Sequence, residues 1–167
     1  MSTATQAPGL RSRSSWLVLA GFLLAVLAVA VVGSLAATSS REIYDGFTQP
    51  AFAPPGWLFG PVWTVLYLMI AVSGWTFWRA AGSWRAGSRA LTVYAVGLVL
   101  NALWTPLFFA AGLPEVALAE ILLLDIAVVA TIVLFRRRST LAAALLVPYL
   151  AWVLFATALT IGIVVLN

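Results

Sequence analysis

The residues best placed to do chemistry in this chain are aromatic and amide side chains repeating at helical spacing. Phe59, Trp63 and Tyr67 are each four residues apart, so on a helix they form one stripe. Asn101, Trp104 and Phe108 fall at i, i+3 and i+7, and Tyr149, Trp152, Ala156 and Leu159 repeat the same register. Ring faces of this kind stack on a flat, apolar guest such as a tetrapyrrole or sterol, while an Asn amide or Tyr hydroxyl fixes its orientation. Other chemistries lack their residues. Without Cys there is no disulfide, thiolate nucleophile, iron–sulfur cluster or thiolate zinc site. Without His or Lys the commonest metal ligand, the usual general base and any Schiff-base lysine are gone. Glu120 and Asp125 lie five residues apart, about 140° around a helix, so they cannot work as one acid–base pair on a shared face. A carboxyl group hydrogen-bonded to a neighbouring helix is the simpler reading of each.

These stripes need elements to hold them, and composition says which. Of 167 residues 63% are hydrophobic and 8% charged, where a soluble domain carries about 25% charged residues. So few charges cannot coat a water-facing surface, and so many apolar residues do not stay disordered. Five runs reach the roughly 20 residues that cross a bilayer: Trp16 to Ala37, about Trp57 to Trp78, about Ala90 to Ala111, about Val116 to Phe135, and Leu141 to Leu166. The sequence therefore predicts an all-α membrane protein, a five-transmembrane-helix bundle. Residues 1–14 form a disordered N-terminal tail, and residues 15–167 form the single transmembrane domain. The first run exceeds the 7–15 residues usual for a secretory signal, so it is read as retained.

Charge sets the orientation. The net charge of +4 comes from 9 basic and 5 acidic residues, every basic one an arginine. With five spans, Arg11, Arg13, Arg79, Arg85, Arg89, Arg136, Arg137 and Arg138 share one side and Arg41 stands alone on the other. The excess of positive charge on the cytoplasmic side places the N-terminus in the cytoplasm and the C-terminus outside, in a bacterial plasma membrane. That anchoring also accounts for the Arg136–Arg138 triplet, and nucleic acid is not expected as a partner. Trp16, Trp78 and Trp84 read as interfacial belt residues. The stretch of about 38–56 carries Pro50, Pro54 and Pro55, which stiffen it into a structured, ligand-covering loop rather than a tether. Pro61, Pro106 and Pro148 each remove a backbone hydrogen bond if they lie inside a helix, which opens room for a pocket.

Three stretches carry a family resemblance. The first runs Pro50-Ala51-Phe52-Ala53-Pro54-Pro55-Gly56-Trp57-Leu58-Phe59-Gly60-Pro61-Val62-Trp63-Thr64-Val65-Leu66-Tyr67. The second is Asn101-Ala102-Leu103-Trp104-Thr105-Pro106-Leu107-Phe108-Phe109, and the third Val147-Pro148-Tyr149-Leu150-Ala151-Trp152 continuing to Leu159. In this order they resemble the translocator protein family, also known as tryptophan-rich sensory proteins or peripheral benzodiazepine receptors. The resemblance implies a five-helix bundle, commonly a homodimer, with a cavity closed by the first loop. It implies a receptor for porphyrins such as protoporphyrin IX and related flat hydrophobes, with a tie to tetrapyrrole or stress regulation and no required cofactor. Cavity residues carried over are Tyr44, Pro50, Trp57, Trp63, Tyr67, Asn101, Phe108, Tyr149, Trp152, Ala156 and Leu159, and Trp104 joins them by its place in the stripe. Alternatives within the family are light-dependent porphyrin breakdown and transport of porphyrin or sterol-like ligands. The chain departs from the pattern for breakdown, since Ile43 stands where one of two implicated tryptophans is usual and Trp152 alone matches the other. No Tyr followed by a basic residue comes after Tyr149, so the sterol motif at the end of the last helix is missing. Arg89, Tyr94 and Val96 fit an inverted sterol pattern of low specificity.

Overall fold

The computed structural model describes residues 8–37 and 40–167, with side chains from residue 15 on, apart from those of 38–41. The expected tail lies outside the described residues as far as residue 7, and the backbone is helical from Pro8. In chain order the helices are α1 (Pro8–Ala36), α2 (Ser40–Gly46), α3 (Phe59–Ala81, entered by a 3-10 turn at Gly56–Leu58), α4 (Trp84–Thr105, continued by a π-helical turn at Pro106–Ala110), α5 (Pro114–Arg136), α6 (Thr140–Leu145) and α7 (Val147–Leu166). No strand occurs among the described residues. Five segments are long and apolar enough to cross a membrane: Ser15–Ala36, Gly56–Ala81, Trp84–Ala110, Pro114–Arg136 and Thr140–Leu166.

The five spans match the five runs, with shifted edges. The third begins at Trp84 rather than about Ala90. Arg85 and Arg89 lie in its first two turns as part of the helix, because Ser83 caps it by accepting from the Ala86 N–H at 3.2 Å. Only two residues separate it from the second span. One of them, Gly82, stops α3 at φ 79°, a left-handed conformation that favours glycine. The first loop holds a short helix, α2, that hydrophobic periodicity does not reveal at this length. Of the three prolines weighed as kinks, Pro61 sits in the first turn of α3, where an N–H has no intrahelical partner anyway. Pro106 and Pro148 do interrupt their spans. Pro106 opens the π turn closed by Ala111 N–H donating to the Pro106 carbonyl at 2.8 Å, and Pro148 follows the break at Leu146 that divides α6 from α7.

The spans form a ring: α1 packs on α3 and α4, α4 on α5, α5 on α6 and α7, and α3 closes the circle against α6. Ring contacts fill the arginine-bearing end. There the Phe77 and Phe135 rings stack at 4.0 Å, Tyr94 lies 5.8 Å from Phe135, and Phe22 meets Tyr94 edge-on at 5.9 Å. Gly74 makes this possible, because a Cβ there would stand 2.6 Å from the Phe22 ring. Toward the opposite end the helices enclose a cavity. A second cluster of Tyr44, Phe108, Ala117, Leu159 and Ile163 seals that end beneath the first loop.

Candidate functional site

Between the helices, toward the first-loop end, lies a cavity of about 570 Å³. Every span contributes to its wall. From α3 come Phe59, Trp63 and Tyr67; from α4 Asn101, Trp104 and Phe108; from α7 Trp152, Ala156 and Leu159. These are the three helical stripes, turned inward as their spacing requires. From α2 Tyr44 closes the top.

The polar groups are few and linked. The Tyr67 hydroxyl donates to Asn101 Oδ1 at 3.2 Å, and Asn101 Nδ2 donates to the Tyr149 hydroxyl at 3.1 Å. One amide thus joins the second, third and fifth spans. Asn101 and Tyr149 are buried, so each bond also satisfies a polar group that would otherwise be stranded. The indole N–H groups of Trp104 and Trp152 are buried with no partner among the described residues. They are donors left over for an acceptor on a guest. None of the described lining residues carries a charge.

Around these handles the aromatic contacts are continuous. Trp63 lies 5.1 Å from Tyr67 and 6.2 Å from Tyr149, Trp104 stacks at 5.2 Å on Phe108, and Phe59 meets Trp152 edge-on at 5.7 Å. The π turn after Pro106 carries Phe108 and Phe109, which pack at 4.8 Å.

The first loop is pinned over this cavity from several sides. Tyr44 touches the Phe59 ring at 5.7 Å and donates its hydroxyl to the Pro54 carbonyl at 3.3 Å, while Gln49 Nε2 donates to the Tyr44 carbonyl at 2.8 Å. Burial, and after it the charge of Asp45, pushes the Tyr44 phenol above its ordinary value, so it stays neutral at any physiological pH. Thr48 and Asn167 exchange two hydrogen bonds: Thr48 N–H to Asn167 Oδ1 at 2.9 Å and Asn167 Nδ2 to the Thr48 carbonyl at 3.1 Å. Pro50 sits against Gly162, where a Cβ would come within 2.9 Å of the proline ring.

Ten of the twelve residues singled out from sequence border the cavity. Two do not. Pro50 packs outside it, as a clamp of the loop on α7. Tyr149 stands behind the wall and reaches the cavity through Asn101. Trp57 borders the mouth and is 69% exposed, so it is a rim residue rather than a buried wall. Ile43 does not border the cavity. Sequence reasoning missed Ile121 and Leu124 of α5, and it missed the first span and the turn that ends it, where Ala30, Gly33, Ser34 and Ala37 border the cavity. Their spacing of i, i+3, i+4 and i+7 is a stripe of small residues, the signal that could have found it.

The two intramembrane carboxylates lie outside the wall. Asp125 accepts from the Thr157 hydroxyl of α7 at 2.9 Å, as a carboxyl group tied to a neighbouring helix should. Glu120 is buried, and neither of its oxygens has a partner among the described residues. No cluster of three potential metal-ligating residues exists among the described residues. Of the belt tryptophans, Trp16 and Trp84 are exposed, whereas Trp78 is half-buried at 5.7 Å from Trp84.

Comparison with known proteins is consistent throughout. The TspO/MBR family model matches residues 22–166. The "Tryptophan-rich protein TspO" of Archaeoglobus fulgidus is 44% identical over 146 residues, covering 87% of this chain and 94% of its own. The human "Translocator protein" is 37% identical over 146 residues, 86% of each chain. The "Tryptophan-rich sensory protein" of Cereibacter sphaeroides is 36% identical over 152 residues, 91% of this chain and 92% of its own. The chain belongs to the TspO/MBR family and is an integral membrane protein.

Proposed function

We propose that this TspO/MBR family member is a membrane receptor that binds a porphyrin, or a similarly flat hydrophobe, in the cavity between its helices. The observation that carries this reading is the character of the wall: aromatic on three helices, uncharged throughout, and crossed by one Tyr67–Asn101–Tyr149 relay. A volume of about 570 Å³ falls inside the roughly 300–1,000 Å³ of small-molecule sites. Ring stacking contributes about 0.5–1.5 kcal/mol per pair beyond burial, and the free indole N–H groups of Trp104 and Trp152 supply direction. The charged substituents of a porphyrin find no counter-charge inside, so they leave by the side lined by α1 and the Trp57 rim. The arginine distribution supports an N-terminus in the cytoplasm, a C-terminus outside and a bacterial plasma membrane as the setting. A homodimer is the assembly we expect.

The test is tryptophan fluorescence of the purified full-length protein titrated with protoporphyrin IX. Saturable quenching in the wild type, weakened in Trp152→Ala and Tyr149→Ala, supports the reading. Quenching that never saturates, or that both variants leave unchanged, contradicts it.

A further inference from the structure

Two complementary polar groups are buried without partners on neighbouring helices. Glu120 of α5 is 7% exposed, and neither carboxyl oxygen meets a donor among the described residues. The indole N–H of Trp104 on α4 is also buried and meets no acceptor among them. Buried orphans of this kind are rare in native structures. The Trp104 ring borders the cavity, yet its N–H is shielded from that space, so this edge of the ring is turned into the protein.

Helical register shows what the edge faces. α4 and α5 pack together as an antiparallel pair joined by the turn at 111–113. A Cβ on Gly97 would stand 3.9 Å from the Ala127 methyl, which sets those two positions against each other. Trp104 comes seven residues after Gly97, and Glu120 seven before Ala127. Seven residues are about two turns, so each returns to the same face of its helix. In an antiparallel pair both steps run the same way along the seam, so Trp104 and Glu120 arrive level and facing. One turn farther on, Phe108 and Ala117 share a buried cluster, as this register requires. Asp125 lies about 140° away around α5, where Thr157 of α7 engages it.

We propose that the Glu120 carboxyl is the resident acceptor for the Trp104 indole N–H, and so the competitor that a guest must displace to use that donor. No hydrogen bond joins the two side chains as they stand, but a glutamate is long and flexible enough to close the pair by turning about its own torsions. In the low dielectric of the seam such a bond is stronger than in water. The proposal rests on the cavity being the binding site. Glu120 is a positioning residue there, because it acts on a guest only through Trp104. A guest that offers Trp104 an acceptor trades one bond for another, so the pair lowers affinity for every guest that uses this donor.

The experiment is nuclear magnetic resonance of the detergent-purified full chain with its indole nitrogens labelled, combined with fluorescence titration with protoporphyrin IX. The Trp104 N–H resonance is identified by its loss in Trp104→Phe. It should move in Glu120→Leu and stay in Glu120→Gln, which keeps an acceptor oxygen. Glu120→Leu leaves the N–H orphaned until a guest satisfies it, so protoporphyrin should bind about two- to tenfold tighter to this variant and unchanged to Glu120→Gln. Damage to packing alone would weaken binding instead. A Trp104 resonance that does not move in folded Glu120→Leu overturns the proposal, as does porphyrin binding by that variant that is unchanged or weaker. Should Glu120→Leu not fold, the infrared carboxyl band of Glu120, identified by its loss in Glu120→Gln, decides: it should move in Trp104→Phe. Glu120 also lies within electrostatic reach of Tyr149, so a band that moves in Tyr149→Phe and not in Trp104→Phe overturns the proposal. Wild-type protein that takes up no porphyrin refutes the reading of the cavity, while the resonance without porphyrin still decides for or against Glu120 as the acceptor.

Discussion

Replacing Asn101 by leucine tests how the cavity wall is held. Leucine is close in size, so the change removes two hydrogen bonds with little change in volume. It takes the acceptor from the Tyr67 hydroxyl at 3.2 Å and the donor from the Tyr149 hydroxyl at 3.1 Å. Tyr149 is 4% exposed, so water does not replace what it loses. Hydrogen bonds between membrane helices average about 0.6 kcal/mol and reach about 1.7, so two of them set a loss of about 1–3 kcal/mol. For a chain of this size that lowers the melting temperature by about 3–10 °C. Removing both partners of a buried bond costs less than removing one. The triple variant Asn101→Leu/Tyr67→Phe/Tyr149→Phe should therefore recover part of the loss seen in Asn101→Leu alone. Thermal unfolding of the detergent-solubilised proteins, followed by circular dichroism, measures both. An unchanged melting temperature in the single variant, or a triple variant less stable than the single, would refute the relay.

Other perturbations probe the lid and the close approaches. Gly162→Val drives a side chain into Pro50 and should speed porphyrin release several-fold in stopped-flow fluorescence while leaving helix content unchanged. Gly74→Ala places a Cβ 2.6 Å from a Phe22 ring that is itself packed on Trp84 and Tyr94, and overpacking of this kind costs about 1–3 kcal/mol, read as a lower melting temperature. The raised value of the Tyr44 phenol means that the folded loop favours the neutral form. Its contribution is complete below the ordinary tyrosine value and is lost as pH rises through the folded one. Porphyrin release rates governed by this group should stay level across neutral pH and rise only in strong alkali, and Tyr44→Phe should remove that alkaline rise.

Much of the bundle was legible because its signals are long and repetitive. Twenty apolar residues in a row declare a span whatever packs around them, and a residue every third or fourth position declares a face. That is why Phe59, Trp63 and Tyr67, and likewise Trp152, Ala156 and Leu159, turn up on one wall. The misses are of another kind. Helix α2 is seven residues long, too short for a period to show. The start of α4 at Trp84 hides because Arg85 and Arg89 depress local hydropathy, whereas the Ser83 cap decides the boundary. Tyr149 lies behind the wall because its ring points to Asn101, a matter of three-dimensional packing that spacing along α7 cannot state. Pro50 shows the same limit from the other direction: its sequence neighbours suggest a lid, but only its contact with Gly162 shows that it fastens the lid instead of lining the cavity.

The most direct test of porphyrin binding within the bundle is a structure of the full chain solved with protoporphyrin IX bound. The expected complex has the ring system between Trp63, Trp104 and Trp152, beneath the Tyr44 loop, with its carboxylates turned toward the α1 side. A ring found on the lipid-facing surface, with the cavity among these residues unfilled, would contradict it.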